Sequence, residues 1–366
     1  MLSNFCSFQK LIIAYYHCRK KKRLKTSSAE FEFNLEQEIM DLEKVLQNHT
    51  YLPSAFSVFV VTEPKIREIF AANFRDRVVH HLLYSFLLPI FEPEFIADSY
   101  ACRKGKGTHQ AVKKLSEFLK QDRLFFLQAD IKNYFCSINH DILFNLIQKQ
   151  VNDPDILWLA KTIIDFDCAD NPVKKGQLEL FSQVPAHKSL FNAPIGRGLP
   201  IGNLTSQFFA NVYLNELDQY VKHTLNCKYY IRYVDDFIIL DENKEKLYQI
   251  KQQIEEFLRQ KLTLELHPNK WQIEDARKGV DFLGYVTKRT HILVRRRVIK
   301  NLKKKLQEFQ KEHTNLKYVL SCINSYYAHF RHADGYNLRR NLWEKHFGVL
   351  KDILRPADDF KFFRLK

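Results

Sequence analysis

Hydrophobic and polar positions follow two different periods along the chain, and the pattern predicts a mixture of helices and strands. Apolar residues recur at helical spacing over Leu35 to Leu46, which predicts a packing helix. The β-branched and aromatic run from Phe56 to Thr62, followed by Pro64 to Ile69, predicts a hairpin with an exposed basic edge. Further predicted elements are helices at 76–91, 109–119, 139–147 and 204–225, a buried strand at 124–129, and strand-turn-strand patterns at 228–240 and 280–293.

Both ends of the chain combine basic residues with apolar helical patterns. An apolar stretch precedes a basic cluster over Arg19 to Lys25, which is either a solvated helix end or a contact for RNA phosphate or an acidic partner. From Val298 onward, Lys and Arg alternate with apolar residues at helical spacing, and Asn324 is expected to begin another aromatic helix. The aromatic residues of that helix are expected to pack in a core rather than to stack on nucleic acid.

Composition adds a strong basic excess to this picture. The 366 residues include 57 Lys and Arg against 42 Asp and Glu, a formal charge of +15, which points to a polyanionic partner. A hydrophobic fraction of 45% with 14% aromatic residues excludes a disordered, collagenous or low-complexity chain. The length suggests about two or three subdomains.

Cysteine spacing and apolar run lengths exclude several other classes. The 7 cysteines are scattered without a C-x-x-C pair, so neither a disulfide framework nor a zinc cluster fits. The apolar stretch from Val78 to Phe91 is too short for a membrane span, and the N-terminal charge follows its apolar run, unlike a secretory signal. We therefore expect a soluble cytoplasmic protein with no membrane partner.

Two adjacent acids stand where two hydrophobic strands meet, in the segment from Tyr229 to Leu240. Asp235 and Asp236 could form a polar hairpin tip in water, since Asp is a favoured turn residue. However, Asp130 also closes an apolar strand, and three acids on neighbouring strand ends can hold two Mg²⁺ ions. Magnesium prefers a few carboxylates together with substrate phosphate oxygens, so this pattern indicates phosphoryl-transfer chemistry.

A glycine-containing basic loop precedes the helix at 109–119. The loop, Arg103 to Thr108, is similar to a phosphate cradle, but Tyr100 stands where a Walker A motif requires its first glycine. Basic side chains beside a helix N-terminus can hold phosphates, and an ordinary solvated loop is an equally good interpretation.

Four motifs in succession resemble the palm motifs of reverse transcriptases, in that family's order. They are Ala129 to Phe135, Leu199 to Gly202, Tyr233 to Asp236, and Phe282 to Tyr285. The resemblance implies an α+β right-hand polymerase fold with fingers, a palm of antiparallel sheet and helices, and a helical thumb. The domains implied are a basic N-terminal helical extension at 1–51, fingers at 52–129, a palm at 130–289 with interleaved finger elements, and a thumb at 290–366.

The same resemblance implies roles for individual residues. Asp130, Asp235 and Asp236 correspond to metal ligands, with Ile131 among the metal-binding positions, for two Mg²⁺ ions or Mn²⁺ in their place. Lys270 corresponds to a lysine that protonates pyrophosphate. The implied nucleotide-binding residues are Lys65, Arg67, Arg103, Phe135, Ile201, Gly202 and Tyr233, and the implied primer-positioning residues are Phe282, Leu283 and Gly284. The implied partners are dNTPs, template RNA and an RNA/cDNA duplex.

Departures from the usual motif resemble one subfamily, the reverse transcriptases of diversity-generating retroelements. Ile201 stands where most reverse transcriptases have Gln, and Gln207 where most have Pro. In that subfamily a bacterial or phage-encoded enzyme copies a template RNA with errors at adenines, together with a small basic accessory protein. A Gln beside the nascent pair penalises mispairs by losing hydrogen bonds, and Ile imposes no such penalty, so we expect low fidelity.

Other interpretations stay open at this point. A retron-like or phage-defence reverse transcriptase shares the palm motifs, and a non-polymerising RNA-binding scaffold would share the fold. The presence of all three acids argues against the scaffold, which is expected to lose at least one. The pairs His329 with His332 and His80 with His81 are not expected to bind metal, because no third ligand converges by spacing.

Overall fold

The computed structural model describes residues 4–63, 65–311 and 315–366 as a mixed helical and sheet structure. The helices are α1 (Phe8–Arg19), α2 (Thr26–Phe33), α3 (Leu35–Gln47), α4 (Phe74–Phe91), α5 (Thr108–Phe118), α6 (Tyr134–Ser137), α7 (His140–Gln148), α8 (Pro154–Asp165), α9 (Leu204–Gln219), α10 (Lys244–Leu262), α11 (Arg296–Lys311), α12 (Leu316–Phe330), α13 (Tyr336–His346) and α14 (Leu350–Ile353). Shorter helical turns lie at Asn4–Cys6, Leu178–Gln183, Ala186–Lys188, Leu190–Asn192, Tyr220–Thr224 and Ala276–Lys278.

The strands form several small sheets. They are β1 (Ser57–Val61), β2 (Arg67–Ala71), β3 (Phe125–Ile131), β4 (Val173–Lys174), β5 (Tyr229–Tyr233), β6 (Asp236–Asp241), β7 (Leu266–Asp275), β8 (Val280–Phe282), β9 (Tyr285–Thr287), β10 (Ile292–Val294), β11 (Leu354–Ala357) and β12 (Phe362–Leu365). The central sheet has the order β5-β6-β3-β7 and is antiparallel throughout. The others have the orders β2-β1-β4, β10-β9-β8 and β11-β12.

The central sheet is buried on both faces, which explains its continuous apolar runs. On one face, Leu127 and Ile239 belong to the main core, which also includes residues of α4, α9 and α10. On the other face, Phe126 and Ile238 belong to a second cluster with residues of α5 and β8. Helices on one side and a second layer on the other therefore fix the position of β3 and β6, the strands that end at the acids.

The predicted elements are largely confirmed. Helices α3, α4, α5 and α9 and the β1–β2, β5–β6 and β8–β9 hairpins lie where the periodicity places them. Asn139 caps α7 as expected, because its side chain accepts a hydrogen bond from the Ile142 amide. One prediction was wrong: Asn324 does not begin a helix but lies inside α12, which starts at Leu316 behind the Asn315 cap. In α12, Tyr327 and Phe330 are fully buried, as core packing predicts.

The two ends of the chain pack differently. Residues of α1 and α3 share the main core with the central sheet, so the N-terminal helices are part of the same packed body. Residues from Val294 to Phe363 form a cluster of their own. That cluster lies within the range predicted for the thumb, and the division into domains stays a prediction.

Two further features concern the cysteines and the lengths of the helices. The seven cysteines are free thiols, in agreement with the absence of paired spacing. Within the described residues, no helix combines the length and the apolar character needed to cross a membrane.

Candidate active site

Three acidic residues lie where β3 and the β5–β6 hairpin end together. Asp130 lies directly opposite Asp236 in the antiparallel register of β3 and β6. The Ile131 amide donates to the Asp235 carbonyl at 3.1 Å, which extends the pairing into the turn. The expected convergence of the three acids therefore follows from strand register, and Ile131 joins the site through its backbone.

A strained turn presents Asp235. Val234 and Asp235 form a two-residue connection between β5 and β6, and Val234 has a φ of 57°, a left-handed conformation that disfavours β-branched residues. The Arg232 guanidinium donates to the Val234 carbonyl at 2.9 Å. Such strain persists only when the surroundings hold it, and here a buried arginine does so.

Arg232 is itself held by a buried ion pair. Its Nε lies 2.7 Å from Asp218 Oδ1, its Nη2 lies 2.5 Å from Asp218 Oδ2, and both side chains are fully buried. Tyr230 donates to the same carboxylate, and Asn211 accepts from Arg232 Nη1. The sequence argument missed this cluster, although an arginine inside the apolar run from Tyr229 to Leu240 was a signal for it.

Asp235 and Asp236 lie in a site that disfavours their ionisation. Burial, followed by the neighbouring Asp130 carboxylate, raises the pKa of Asp235 to about 7. Burial also raises the pKa of Asp236 to about 7, against a hydrogen bond from Gln128 that lowers it. Closely spaced carboxylates that resist ionisation alone are well suited to a cation, which would remove the penalty.

Lys270 supplies a positive charge to this cluster. Ala129 pairs with Trp271, and the same antiparallel register continued by one residue sets Asp130 opposite Lys270, before an irregularity that pairs Ile131 with Leu266. As a result, Lys270 Nζ lies 2.5 Å from Asp130 Oδ2. Lys270 thus lies beside the acids, whereas its role as a proton donor stays a prediction.

A cleft of about 320 Å³ opens in front of the acids and brings a further predicted residue to them. It is lined by Lys65, Gln128, Asp130, Asp236, Asn269, Lys270, Trp271 and Gln272. Lys65 reaches the cleft from the loop between β1 and β2. Arg67 begins β2 and is exposed, but it does not line this cleft. Of the two basic residues expected to grip a triphosphate, the structure therefore brings Lys65 to the acids.

The other nucleotide-binding candidates lie on the elements beside the cleft. Phe135 is half-buried, and its carbonyl accepts from the Leu199 amide at 2.8 Å. The Ile201 carbonyl accepts from the Phe70 amide, which fixes this loop against β2. Gly202 has a φ of 127°, and a Cβ there would lie 3.0 Å from the Phe70 carbonyl oxygen, so glycine is required. Tyr233 accepts a hydrogen bond from Thr108.

Arg103 does not fit the predicted nucleotide-binding role. Its side chain is 7% exposed and forms an ion pair with Glu92. Its Nη1 donates to the Ile96 and Ser99 carbonyls at 2.7 and 3.0 Å. Lys106 likewise donates to a carbonyl, that of Ala97. Both cations are bonded to residues that precede the loop, so Arg103 is not free to hold a phosphate, which corrects the expectation of a phosphate cradle that includes it.

The predicted primer-positioning segment is a tight hairpin between β8 and β9. Phe282 is fully buried, while Leu283 and Gly284 form the turn with φ values of 51° and 90°. A Cβ on Gly284 would lie 3.0 Å from the His329 ring of α12. The close approach permitted by this glycine is thus toward an imidazole of the C-terminal cluster, whereas the sequence suggested another backbone.

The carboxylate oxygens of the site suit a divalent cation, but they do not surround one completely. Within the described residues, no three His, Cys, Asp or Glu side chains are already arranged around one point. Asp130 and Asp235 form a close pair, and Asp236 instead accepts from Gln128 at 3.3 Å. Hard carboxylate oxygens suit Mg²⁺, which retains water and uses substrate phosphates for its remaining positions. An incomplete protein cage is therefore compatible with this cation.

An antiparallel sheet with one carboxylate at a strand end and two in the adjoining hairpin is the arrangement expected of the palm of a nucleic-acid polymerase. Residues 62–287 match the family model described as reverse transcriptase (RNA-dependent DNA polymerase). The match covers more than half of the chain, and the chain belongs to this family. Members of the family generally use divalent metal ions.

Curated relatives place the chain near intron-encoded proteins. It is 25% identical to the group II intron-encoded protein LtrA of Lactococcus lactis over 68% of this chain and 49% of that protein, so it spans about half of its length. It is 24% identical to the protein YkfC of Escherichia coli over 72% of each chain. A solved structure of telomerase from Candida albicans, with a telomeric RNA fragment, aligns at 13% identity and a TM-score of 0.48, over 82% of this chain and 55% of that one.

The raised pKa values of Asp235 and Asp236 lead to a testable effect on stability. We expect the Asp235→Asn/Asp236→Asn double variant to melt at a higher temperature than the wild type without metal, and the difference to be larger at pH 8 than at pH 5. In the folded protein the two carboxyl groups keep their protons until about pH 7, whereas in the unfolded chain they lose them near pH 4. The wild type therefore loses stability as the pH rises through this window, and Asn does not. Thermal melting in EDTA at the two pH values measures this difference.

A metal titration provides the control for this effect. At pH 8, Mg²⁺ is expected to raise the melting temperature of the wild type and to leave that of the double variant nearly unchanged, because the cation binds the folded carboxylates. An equal response of the two proteins to Mg²⁺ would contradict the assignment of these acids as cation ligands.

Proposed function

We propose that the protein is an RNA-directed DNA polymerase that extends a primer on an RNA template with dNTPs. The observation that carries this proposal is that Asp130, Asp236 and Lys270 line one cleft, with Asp235 beside Asp130. Membership of the reverse transcriptase family supports the same reaction.

In this proposal, the residues at the cleft have different roles in nucleotidyl transfer. Asp130, Asp235 and Asp236 would hold two Mg²⁺ ions, or Mn²⁺ in their place, which when bound activate a 3′-hydroxyl and stabilise the pyrophosphate leaving group. Lys65 lines the same cleft and is placed to neutralise a triphosphate. Lys270 lines the same cleft, with its Nζ 2.5 Å from Asp130 Oδ2, and would donate a proton to the departing pyrophosphate.

The charge of the chain supports binding to an RNA template and an RNA/cDNA duplex. The excess of 57 basic over 42 acidic residues favours a polyanion, and α11 presents basic residues around two buried leucines. Binding through phosphates releases counterions, so the affinity should fall steeply with salt.

Primer extension tests this proposal directly. The native protein is expected to incorporate dNTPs on a primed RNA template in Mg²⁺, and EDTA or the Asp235→Asn/Asp236→Asn substitutions should abolish synthesis. If the native protein synthesises no DNA, even with cognate RNA and an accessory protein supplied, the non-polymerising RNA-binding scaffold becomes the better interpretation.

A more specific proposal is that the enzyme serves mutagenic retrohoming in a diversity-generating retroelement. Ile201 in the Ile-Gly…Ser-Gln motif favours this assignment, since the usual Gln is replaced by a side chain that cannot hydrogen-bond. The Ile201 carbonyl accepts a hydrogen bond from the Phe70 amide of β2, three residues after Arg67. In this function the enzyme works in a bacterial cytoplasm with an oligomer of a small basic accessory protein.

Substitution at this position is expected to change fidelity. Ile201→Gln should lower misincorporation opposite template adenines by about fivefold to tenfold, because one regained hydrogen bond of about 1 kcal/mol discriminates against mispairs. Sequencing of cDNA from a defined RNA template measures the error rate, and Ile201→Leu serves as the matched apolar control.

Two outcomes would redirect this assignment. Unchanged errors opposite adenine in Ile201→Gln would contradict the role of Ile201 in infidelity. Accurate synthesis by the native enzyme would instead favour a retron-like or phage-defence reverse transcriptase.

A further inference from the structure

Gln128 occupies an unusual position between two parts of the site. It lies on β3 two residues before Asp130 and therefore on the same face of the strand. Its amide Nε2 lies 3.3 Å from Asp236 Oδ1 and 3.1 Å from the Asp281 carbonyl oxygen. One –NH₂ group has two protons, and each of the two acceptors can take one of them.

The second acceptor belongs to the hairpin that is expected to hold the primer end. Asp281 lies in β8 directly before Phe282, and β8 is in a different sheet from β3 and β6. The carboxylate of Asp281 is itself held by Arg295. The Gln128 amide thus joins a predicted metal ligand in one sheet to the backbone of the primer hairpin in another.

The amide of Gln128 is also held in a defined orientation. The exposed Gln272 of β7 donates from its Nε2 to Gln128 Oε1 at 3.1 Å. This bond occupies the oxygen of Gln128 and leaves its nitrogen directed toward Asp236 and Asp281. The arrangement matches the general pattern in which a metal-binding carboxylate is oriented by a hydrogen-bonding neighbour.

We propose that Gln128 is a positioning residue that sets the distance between Asp236 and the primer hairpin, and so aligns the primer 3′-end with the metal site. The inference rests on the proposed polymerase function. Reaction geometry tolerates little error, because a displacement of about 1 Å in a reacting group can cost a hundredfold in rate. A single amide bonded to both parts limits such a displacement.

The test compares two substitutions that differ in which bonds they remove. Gln128→Met keeps the length of the side chain but removes both donors, whereas Gln272→Met removes only the outer bond to Gln128. For Gln128→Met, we expect kcat to fall about tenfold to hundredfold and the Mg²⁺ concentration for half-maximal rate to rise. The KM for dNTP and the Kd for primer-template should stay within about twofold, and Gln272→Met, which loses only the bond that orients Gln128, should lose less of kcat than Gln128→Met.

A second variant and melting temperatures distinguish a local effect of the substitution from a loss of folding. Gln128→Glu keeps the shape but places an acceptor, and at neutral pH a negative charge, beside Asp236, so it should lower kcat at least as much as Gln128→Met. Melting temperatures of all variants show whether each is folded. The inference would be overturned if the wild type is active and a folded Gln128→Met or Gln128→Glu variant keeps the same kcat and Mg²⁺ requirement. It would also be overturned if Gln272→Met lost as much of kcat as Gln128→Met. An inactive wild type would overturn the proposed function instead.

Discussion

Replacing Asp130 with Asn is expected to lower the rate of primer extension by about a thousandfold or more while primer-template binding stays intact. Asp130 is adjacent to each of the other charged residues of the site: it lies opposite Asp236, beside Asp235 and 2.5 Å from Lys270. The amide of Asn has one neutral oxygen in place of a charged carboxylate, which weakens its hold on a divalent cation. Metal-ion stabilisation of the transition state contributes several kcal/mol, and each 1.36 kcal/mol changes the rate tenfold.

The measurement separates chemistry from binding. Single-turnover incorporation of one dNTP on a primed RNA template gives the rate, and fluorescence anisotropy of a labelled primer-template gives the Kd. Asp141→Asn is the matched control, because Asp141 is an exposed acid on α7 away from the cleft. A loss of affinity that accounts for the whole loss of rate would contradict a direct role of Asp130 in the reaction.

The sequence was sufficient to predict the strands that carry the acids. Both faces of β3 and β6 are covered, so both strands appear as apolar runs bounded by acids, with Gln128 as a polar residue inside the run that precedes Asp130. The resemblance to reverse transcriptases supplied the order of the motifs, and the antiparallel register of β3 and β6 places Asp130 against Asp236. The apolar pattern of each strand and the pairing between the two strands place the acids together, which is why the three acids could be predicted as one set.

Other features depend on contacts that a one-dimensional pattern does not contain. The position of Lys270 depends on the register of β7 against β3, in which Ala129 pairs with Trp271 and the next residues, Asp130 and Lys270, face each other. Arg103 belongs to a basic loop by sequence, but the chain folds back so that Glu92 and two carbonyls take up its donors. Gln128 appeared only as a polar residue in a buried strand, and its partner Asp281 is 153 residues away.

Replacing Arg232 with Met is expected to lower the free energy of unfolding by about 3–5 kcal/mol, because it leaves the Asp218 carboxylate buried without its counter-ion. Both side chains are fully buried, so water cannot replace the guanidinium. Urea denaturation of the metal-free protein measures the change. Lys246→Met is the matched control: its ion pair with Asp241 is exposed, and such pairs contribute about 1 kcal/mol or less.

Adding a second substitution, Asp218→Asn, distinguishes the effect of Arg232→Met on stability from its effect on activity. In Arg232→Met/Asp218→Asn the buried charge is gone and Asn can still accept from Tyr230, so most of the lost stability should return. Polymerase activity should stay low, because the bond from Arg232 to the carbonyl of the strained Val234 is absent in both variants. A double variant that recovers full activity along with stability would show that the turn presenting Asp235 holds its conformation without Arg232. A single variant as stable as the Lys246→Met control would contradict the structural role of the ion pair.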